Sequence, residues 1–443
     1  MKLKRVMSMA LAGLMVLSLA ACGGKADNAG TDTAEGDSGT GKLVVWTLSE
    51  DLKTFAEHYM ETNKDVEIET VIIPPADYPT KISAALRGKA ATPDIIVGEP
   101  QMLPDFEEAG YFEDLSAAPY NADENKDKLV DYVWKAGQDA DGKVRAISYQ
   151  ATPGGIYYRR DIAQAVYGTD DPAAIGEKFK DYATIEQTAK EVRDKGYRIF
   201  SDTGSLRWFA ISDPWVVDGK INISDEKMEY MDTAVDMYQN KLVAFAPEWS
   251  AAWFASMAGP IPMNAEWQEL DEVDANAEQT EVFAYALPSW GSLTIRDNAK
   301  DMAGNYGVCA GPTSYFGGGT FVGISAYSKN KTQAWDFLKY VTLNEETSKW
   351  WAESSKGDIV SMKSVLEEYK DKENETYGNQ KTYQFFYDEA QKIDYSTVTK
   401  YDDQLKVFFG AAIESIQKGE KTKEQAMDEF YAKAQSAYPE LTK

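Results

Sequence analysis

Between Lys42 and Gly110 the chain alternates strand-like and helix-like patterns, and this alternation restricts the folds open to it more than any other feature. Lys42 to Trp46 is a short apolar run, after which Leu52, Phe55, Ala56 and Tyr59 recur at the spacing of one helix face. Val66 to Ile73 alternates as a second strand, and Ile82, Ala85 and Leu86 mark a helix stopped by Gly88. Asp94 to Val97 follows Pro93 as a third strand, and Phe106 and Ala109 lie in a helix ended by Gly110. A β-α-β-α-β-α order predicts a layered α/β unit with a largely parallel sheet. Ligands of such sheets bind beyond the carboxyl ends of the strands, here Trp46 to Asp51 and Gly98 to Gln101.

The middle of the chain adds more strands and longer helices. Val144 to Tyr149 and Gly155 to Arg159 read as strands joined by Thr152, Pro153 and Gly154. Thr184 to Gln187 has the form of a capping box opening a helix over 184–195, which Gly196 stops. Met231, Ala234, Val235 and Tyr238 share a helix face, and Trp249 to Gly259 reads as helical before the turn Gly259 to Met263. Asp141-Gly142 is a hairpin turn signal rather than a calcium loop, since no closing glutamate follows, and Asn121 to Asp127 reads as a solvated acidic helix start. Late in the chain, Gly317 to Met362 holds a triple glycine, a strand over Phe321 to Ala326, and a helix with Ala334, Phe337, Leu338 and Val341 on one face. Gly357 and Asp358 break that pattern. Beyond Met362 come aromatic-rich helices, with Leu405, Phe408, Phe409 and Ala412 on one face.

Met1 to Arg5 is basic, and Val6 to Ala21 is apolar or small but too short to span a bilayer, which together predict a secretion signal over residues 1–21. Leu19, Ala20, Ala21 and Cys22 match a lipobox, so Cys22 is expected to carry lipid. The only other cysteine, Cys309, is expected to be a buried packing residue, and no intrachain disulfide is expected. Residues 22–41 lack large apolar side chains and predict a flexible tether, roughly 25 Å in root-mean-square span. The formal net charge of −26 leaves no electrostatic footprint for nucleic acid or for an anionic membrane surface.

The runs GGGTFVGIS, SKNK, AWDFLKYV and KGDIVSMKSV, in this order, resemble the late signature of the family 1 extracellular solute-binding proteins, the ligand receptors of bacterial ABC importers. DGKINISDEKMEYMDTAVDMYQNKLV is similar to the family's turn, strand and helix at the same place. Gly259 to Met263 matches only in part, because two prolines stand where the family often has Lys and Ala. The resemblance covers nearly all of 42–443. It implies an α/β, two-lobed periplasmic-binding-protein-like fold of type II, each lobe a mixed sheet flanked by helices and the lobes joined by hinge crossovers. The expected lobes are 42–149 plus 322–352 and 150–321 plus 353–443, so that residues near 320–352 return to pack on the N-terminal part of the chain. It also implies a monomer, lipid-anchored on the extracytoplasmic face of the cell membrane, that passes its ligand to ABC permease subunits.

Catalytic chemistry is sparse. His58, the single histidine, reads as a surface or boundary residue, and no nucleophile elbow, P-loop or histidine and cysteine metal spacing occurs. No metal or cofactor is expected. With 72 acidic residues a glycosidase pair cannot be singled out, so a secreted glycoside hydrolase stays as an alternative, beside a receptor for a peptide or other small solute. The informative excess is aromatic, with 11 Trp, 26 Tyr and 17 Phe. A pyranose has an apolar C–H face and a hydroxyl rim, matched by flat rings for area and by carboxylates and amides for orientation. Trp335, Phe337 and Phe408 lie on helix faces and are assigned to packing. The candidate carbohydrate-binding residues sit at strand ends and breakers. Trp46, Ser49 and Glu50 follow the first strand, and Glu99 and Gln101 follow the third. Gln150 and Tyr157 flank the first crossover. Trp208, Trp215, Trp253 and Trp267 lie at breaks in the middle of the chain. Tyr315 and Phe316 precede the glycines, which let backbone approach a ligand closely.

Overall fold

The computed structural model describes residues 41–88, 93–210, 213–263 and 276–443. Cys22, the signal segment and most of the tether, like Trp267, lie outside the described residues.

Two sheets organise the chain. The first has the order Ile68–Ile72, Leu43–Thr47, Ile95–Gly98, Phe321–Ile324, Ile147–Ser148. Leu43–Thr47 runs parallel to both its neighbours, as the β-α alternation requires. Phe321–Ile324 enters antiparallel between Ile95–Gly98 and Ile147–Ser148, pairing Val322 with Val97. The late strand therefore completes the sheet begun at the N-terminus. Its helix, Lys331–Thr342, follows it there, with Phe337 and Tyr340 set edge-on to Tyr59 of helix Asp51–Thr62 at 5.4 and 4.8 Å. Buried Asp94 joins the two ends by accepting from the Val44 amide at 2.9 Å and from the Ser328 hydroxyl at 2.6 Å.

The second sheet has the order Tyr306–Cys309, Gly154–Arg159, Gln279–Pro288, Tyr197–Phe200, with Ile261–Pro262 paired to the start of Gln279–Pro288. Every residue of Gly154–Arg159 is buried, so this strand lies at the centre of a two-sided layer. Helices Tyr182–Arg193, Asp225–Gln239, Asp402–Gln417 and Lys423–Ala437 supply Ile185, Met231, Phe409 and Phe430 to the core that also holds Ile156, Ile199 and Phe283. Apolar side chains at helical spacing reach that core because the next turn of the same face points the same way.

The connections between the sheets are laced together. Ala151 donates to Ile359 O at 2.8 Å and Ser361 to Tyr149 O at 2.9 Å, which zips 148–151 to 359–361. Gly154 donates to Tyr315 O at 2.6 Å and Gly317 to Thr152 O at 3.2 Å, which zips 152–154 to 315–317. The result is a two-lobed α/β architecture.

Local expectations differ from the structure in three places. The helix expected to open at Thr184 begins at Tyr182, because the Asp181 carboxylate accepts from the Thr184 amide at 2.7 Å and is the better cap. The helix around Trp253 spans only Ala251–Ser256, with Ser250 as its cap. The strand expected over Val144 to Tyr149 shortens to Ile147–Ser148, the Val144 amide donating instead to the Ser116 hydroxyl at 2.9 Å. Asp139 accepts from the amides of Asp141 and Lys143, both at 2.9 Å, and pairs with Arg145 at 2.7 Å, so its carboxylate is spent on the turn. Cys309 is buried, and burial pushes its thiol well above the usual range.

Candidate ligand cleft

A cleft of about 1530 Å³ opens where the strand ends of the two sheets face each other. One wall is aromatic. Trp249 is 59% exposed and sits at φ +72°, a left-handed conformation uncommon for a bulky residue, which turns its ring into the cleft. Its ring lies on Trp290, with centroids 5.4 Å apart and planes 27° apart, and is backed by Trp253 at 5.2 Å. Trp290 is fixed in turn by its indole N–H, which donates to Gly317 O at 3.1 Å. Beside this pair, Trp208 stacks on buried Tyr315 at 5.4 Å and carries the Arg207 guanidinium 4.4 Å above its ring. Arg207 also pairs with Glu248 at 2.8 Å. Phe316 lies between Tyr132 and Tyr395, each 5.4 Å away.

The triple glycine is what lets this wall close up. A Cβ on Gly317 would stand 2.4 Å from the Trp208 ring and 2.8 Å from Pro288, and Gly318 and Gly319 take φ of +70° and +103°. Only glycine satisfies all three positions without strain.

The other wall is acidic, built from Asp51, Glu99, Gln101 and Glu107 beyond the first sheet. Burial raises the Asp51 carboxyl above its usual range, opposed by the Tyr149 hydroxyl, which donates to it at 2.8 Å. Burial likewise raises Glu99, opposed by a hydrogen bond from Gln101. Glu107 is pushed up to about 8, first by burial and then by the nearby Asp139 charge, with Arg145 acting in the opposite sense. One Glu107 oxygen and the indole nitrogens of Trp208 and Trp215 are buried without hydrogen-bond partners, although all three residues line the cleft. Buried polar atoms are ordinarily paired, so these three are departures from that rule at the margin of the cleft. Among the described residues no cluster of histidine, cysteine and carboxylate side chains has the makings of a metal site.

Of the residues singled out from sequence, Ser49, Glu99, Gln101, Gln150, Trp208, Trp215 and Phe316 line the cleft. The others do not. Trp46 packs on the flank of the first sheet, on the opposite face to Leu43 and Val45. Glu50 is exposed and pairs with Lys53 at 3.3 Å. Tyr157 is buried in its strand with its hydroxyl 2.9 Å from that of Ser292. Trp253 and Tyr315 are buried beneath Trp249 and Trp208, so they support the wall without forming its surface. Trp249, Trp290, Arg207, Glu248, Tyr395 and Asp403 line the cleft and were not singled out. Nothing in the local pattern announces the backbone twist at Trp249, whereas Trp290, next to the strand end at Pro288, follows from the strand-end rule once that strand is placed.

A family model described as bacterial extracellular solute-binding protein matches residues 54–379, most of the chain. The chain belongs to this family. As a solute-binding protein of an extracellular family it works outside the cytoplasm, and the family's role is to bind solutes rather than to catalyse. Solved structures share its fold. A family 1 extracellular solute-binding protein superposes with a TM-score of 0.73 at 18% identity, covering 89% of this chain and 99% of its own. The GacH receptor of Streptomyces glaucescens, studied unliganded and with acarbose, gives a TM-score of 0.67 at 18% identity, covering 91% and 98%. An ABC transporter associated binding protein from B. animalis subsp. lactis, in complex with β-1,6-galactobiose, gives 0.65 at 20%, covering 88% and 96%. The mixed α/β, two-lobed architecture of this solute-binding protein is thus the one common to sugar-binding proteins of ABC transporters.

Proposed function

We propose that this solute-binding protein captures a carbohydrate, in particular an oligosaccharide, between its two lobes and delivers it to an ABC permease. The observation that carries the reading is the Trp249 and Trp290 pair, an exposed aromatic platform facing a wall of carboxylates, one Glu107 oxygen unpaired, across a cleft of about 1530 Å³. The platform offers flat apolar area to sugar C–H faces, and the carboxylates and Gln101 and Gln150 amides accept and donate to hydroxyls. The acarbose and β-1,6-galactobiose of the structural relatives support the same ligand class. Ser49, Glu99, Gln101, Gln150, Trp208, Trp215 and Phe316 serve as ligand contacts, joined by Trp249, Trp290 and Arg207.

The lobes comprise 42–149 plus 322–352 and 150–321 plus 353–443. The ligand touches both and thereby favours their closure about the laced connections. The protein acts as a monomer anchored through lipid on Cys22, with 22–41 as tether. Thermal-shift screening of a glycan panel, with product analysis of the same samples, tests the reading. A shift with an oligosaccharide and no product is expected. A shift with peptides alone, or turnover of a glycan, overturns it.

A further inference from the structure

The first of the laced connections carries Gln150, and this one side chain reaches both of the others. Its amide N–H donates to Asp358, which leads into the connection at 359–361, at 2.8 Å, and its amide oxygen accepts from the Thr320 amide, which follows the connection at 315–317, at 3.1 Å. Gln150 also lines the cleft. Asp358 is fully buried, and its one paired oxygen accepts from Gln150 and from the Trp351 indole at 2.7 Å, while the other oxygen has no partner. The acidic and phenolic groups around it are Asp51 from helix Asp51–Thr62, Tyr149 beside Gln150, and Tyr383 from helix Thr382–Ala390, whose hydroxyl donates to the Asp358 carbonyl at 3.3 Å. No lysine, arginine or histidine forms an ion pair with Asp358 among the described residues.

We propose that Asp358 is a positioning residue for ligand capture: from outside the cleft it orients Gln150 and, through the charge on its buried carboxyl, biases the two lobes between closed and open arrangements. The inference rests on the two-lobe closure put forward above. A carboxyl with one unpaired oxygen, beside the Asp51 carboxylate and without a cation, is costly to ionise where it is buried. Burial first, and Asp51 second, push it up to about 7, against the two donors that hold its other oxygen. On this inference, lobe rotation about the laced connections moves the three segments that enclose Asp358 and admits water to the node. The open arrangement then tolerates the charge better than the closed one. The closed arrangement, whose carboxyl is pushed up to about 7, therefore binds more protons, and raising the pH toward 7 shifts the lobes toward open. By linkage, a ligand that closes the lobes just below this pH takes up protons as it binds.

The test needs no ligand, so a failed glycan screen has no bearing on it, and its own failure leaves the carbohydrate reading untouched. Small-angle X-ray scattering of the ligand-free full chain between pH 5.5 and 8.5 should give a radius of gyration that grows with pH, with a midpoint below 7 and a plateau above it. Asp358→Asn should hold the low-pH value throughout. Trp351→Phe removes one donor to the ionised carboxylate and should move the midpoint upward by a measurable fraction of a pH unit, an effect that loss of packing alone does not produce. A flat wild-type profile, or a profile unchanged in Asp358→Asn, overturns the proposal. Should Asp358→Asn fail to fold, the direction of the Trp351→Phe midpoint decides it, and an unmoved or lowered midpoint overturns it.

Discussion

The two walls of the cleft are made of unlike material. The wall beyond the second sheet is stacked indoles, with Trp249 on Trp290 and Trp208 on Tyr315. The wall beyond the first is carboxylates and amides, with Glu99 and Glu107 held at raised proton affinity by burial and Gln101 beside Glu99. Rigid rings lose little conformational freedom on contact and supply area, whereas buried carboxylates gain most when a hydroxyl replaces the water they lack. Under the proposed carbohydrate reading, the contrast amounts to a division of labour in which one lobe provides adhesion and the other orientation.

Removing the platform should do the most to break this contrast. Trp249→Ala is expected to lower affinity for the glycan identified by thermal shift by about 2 kcal/mol or more, read by calorimetry, if the exposed indole is a binding hot spot. A loss of under twofold would make the aromatic wall ordinary surface. Trp290→Phe keeps a ring under Trp249 but drops the hydrogen bond to Gly317, and should cost about 0.5 to 1.5 kcal/mol of stability in denaturant unfolding. The contribution of Glu107 depends on pH. Its folded proton affinity is raised, so the folded chain holds more protons than the unfolded one between about 4.5 and 8, and stability falls as pH rises through that window. Melting curves from pH 5 to 8.5 should therefore decline less steeply for Glu107→Gln than for the parent chain. The smallest effect belongs to Glu50→Ala. This residue sits one position from cleft-lining Ser49 and Asp51 yet points to solvent, and its loss should leave glycan affinity within twofold.

The fold was legible in the sequence where periodicity and breakers agree. The parallel start of the first sheet follows from Leu43 to Val97, whereas the return of Phe321–Ile324 to that sheet is what the family resemblance of the run implies, the local pattern giving only its strand and helix. The acidic wall was legible too, because Ser49, Glu99 and Gln101 lie just past strand ends, where topology alone fixes the position. The aromatic wall was less so. Tyr157 and Tyr315 sit at plausible breaks but turn into the core, since facing is decided by what packs on the far side of the layer. Trp249 escaped because its exposure depends on a left-handed backbone angle that Pro247, Glu248 and Ser250 do not announce. The same holds for Asp358, read from sequence only as a breaker and found at the meeting point of the three connections.

The most direct test of the account is a crystal structure of the protein with the glycan that gives the largest thermal shift. The account predicts a sugar ring lying on the Trp249 face with hydroxyls directed at the Glu99, Gln101 and Glu107 wall. A glycan held without contact to Trp249, or bound outside the cleft, would contradict it.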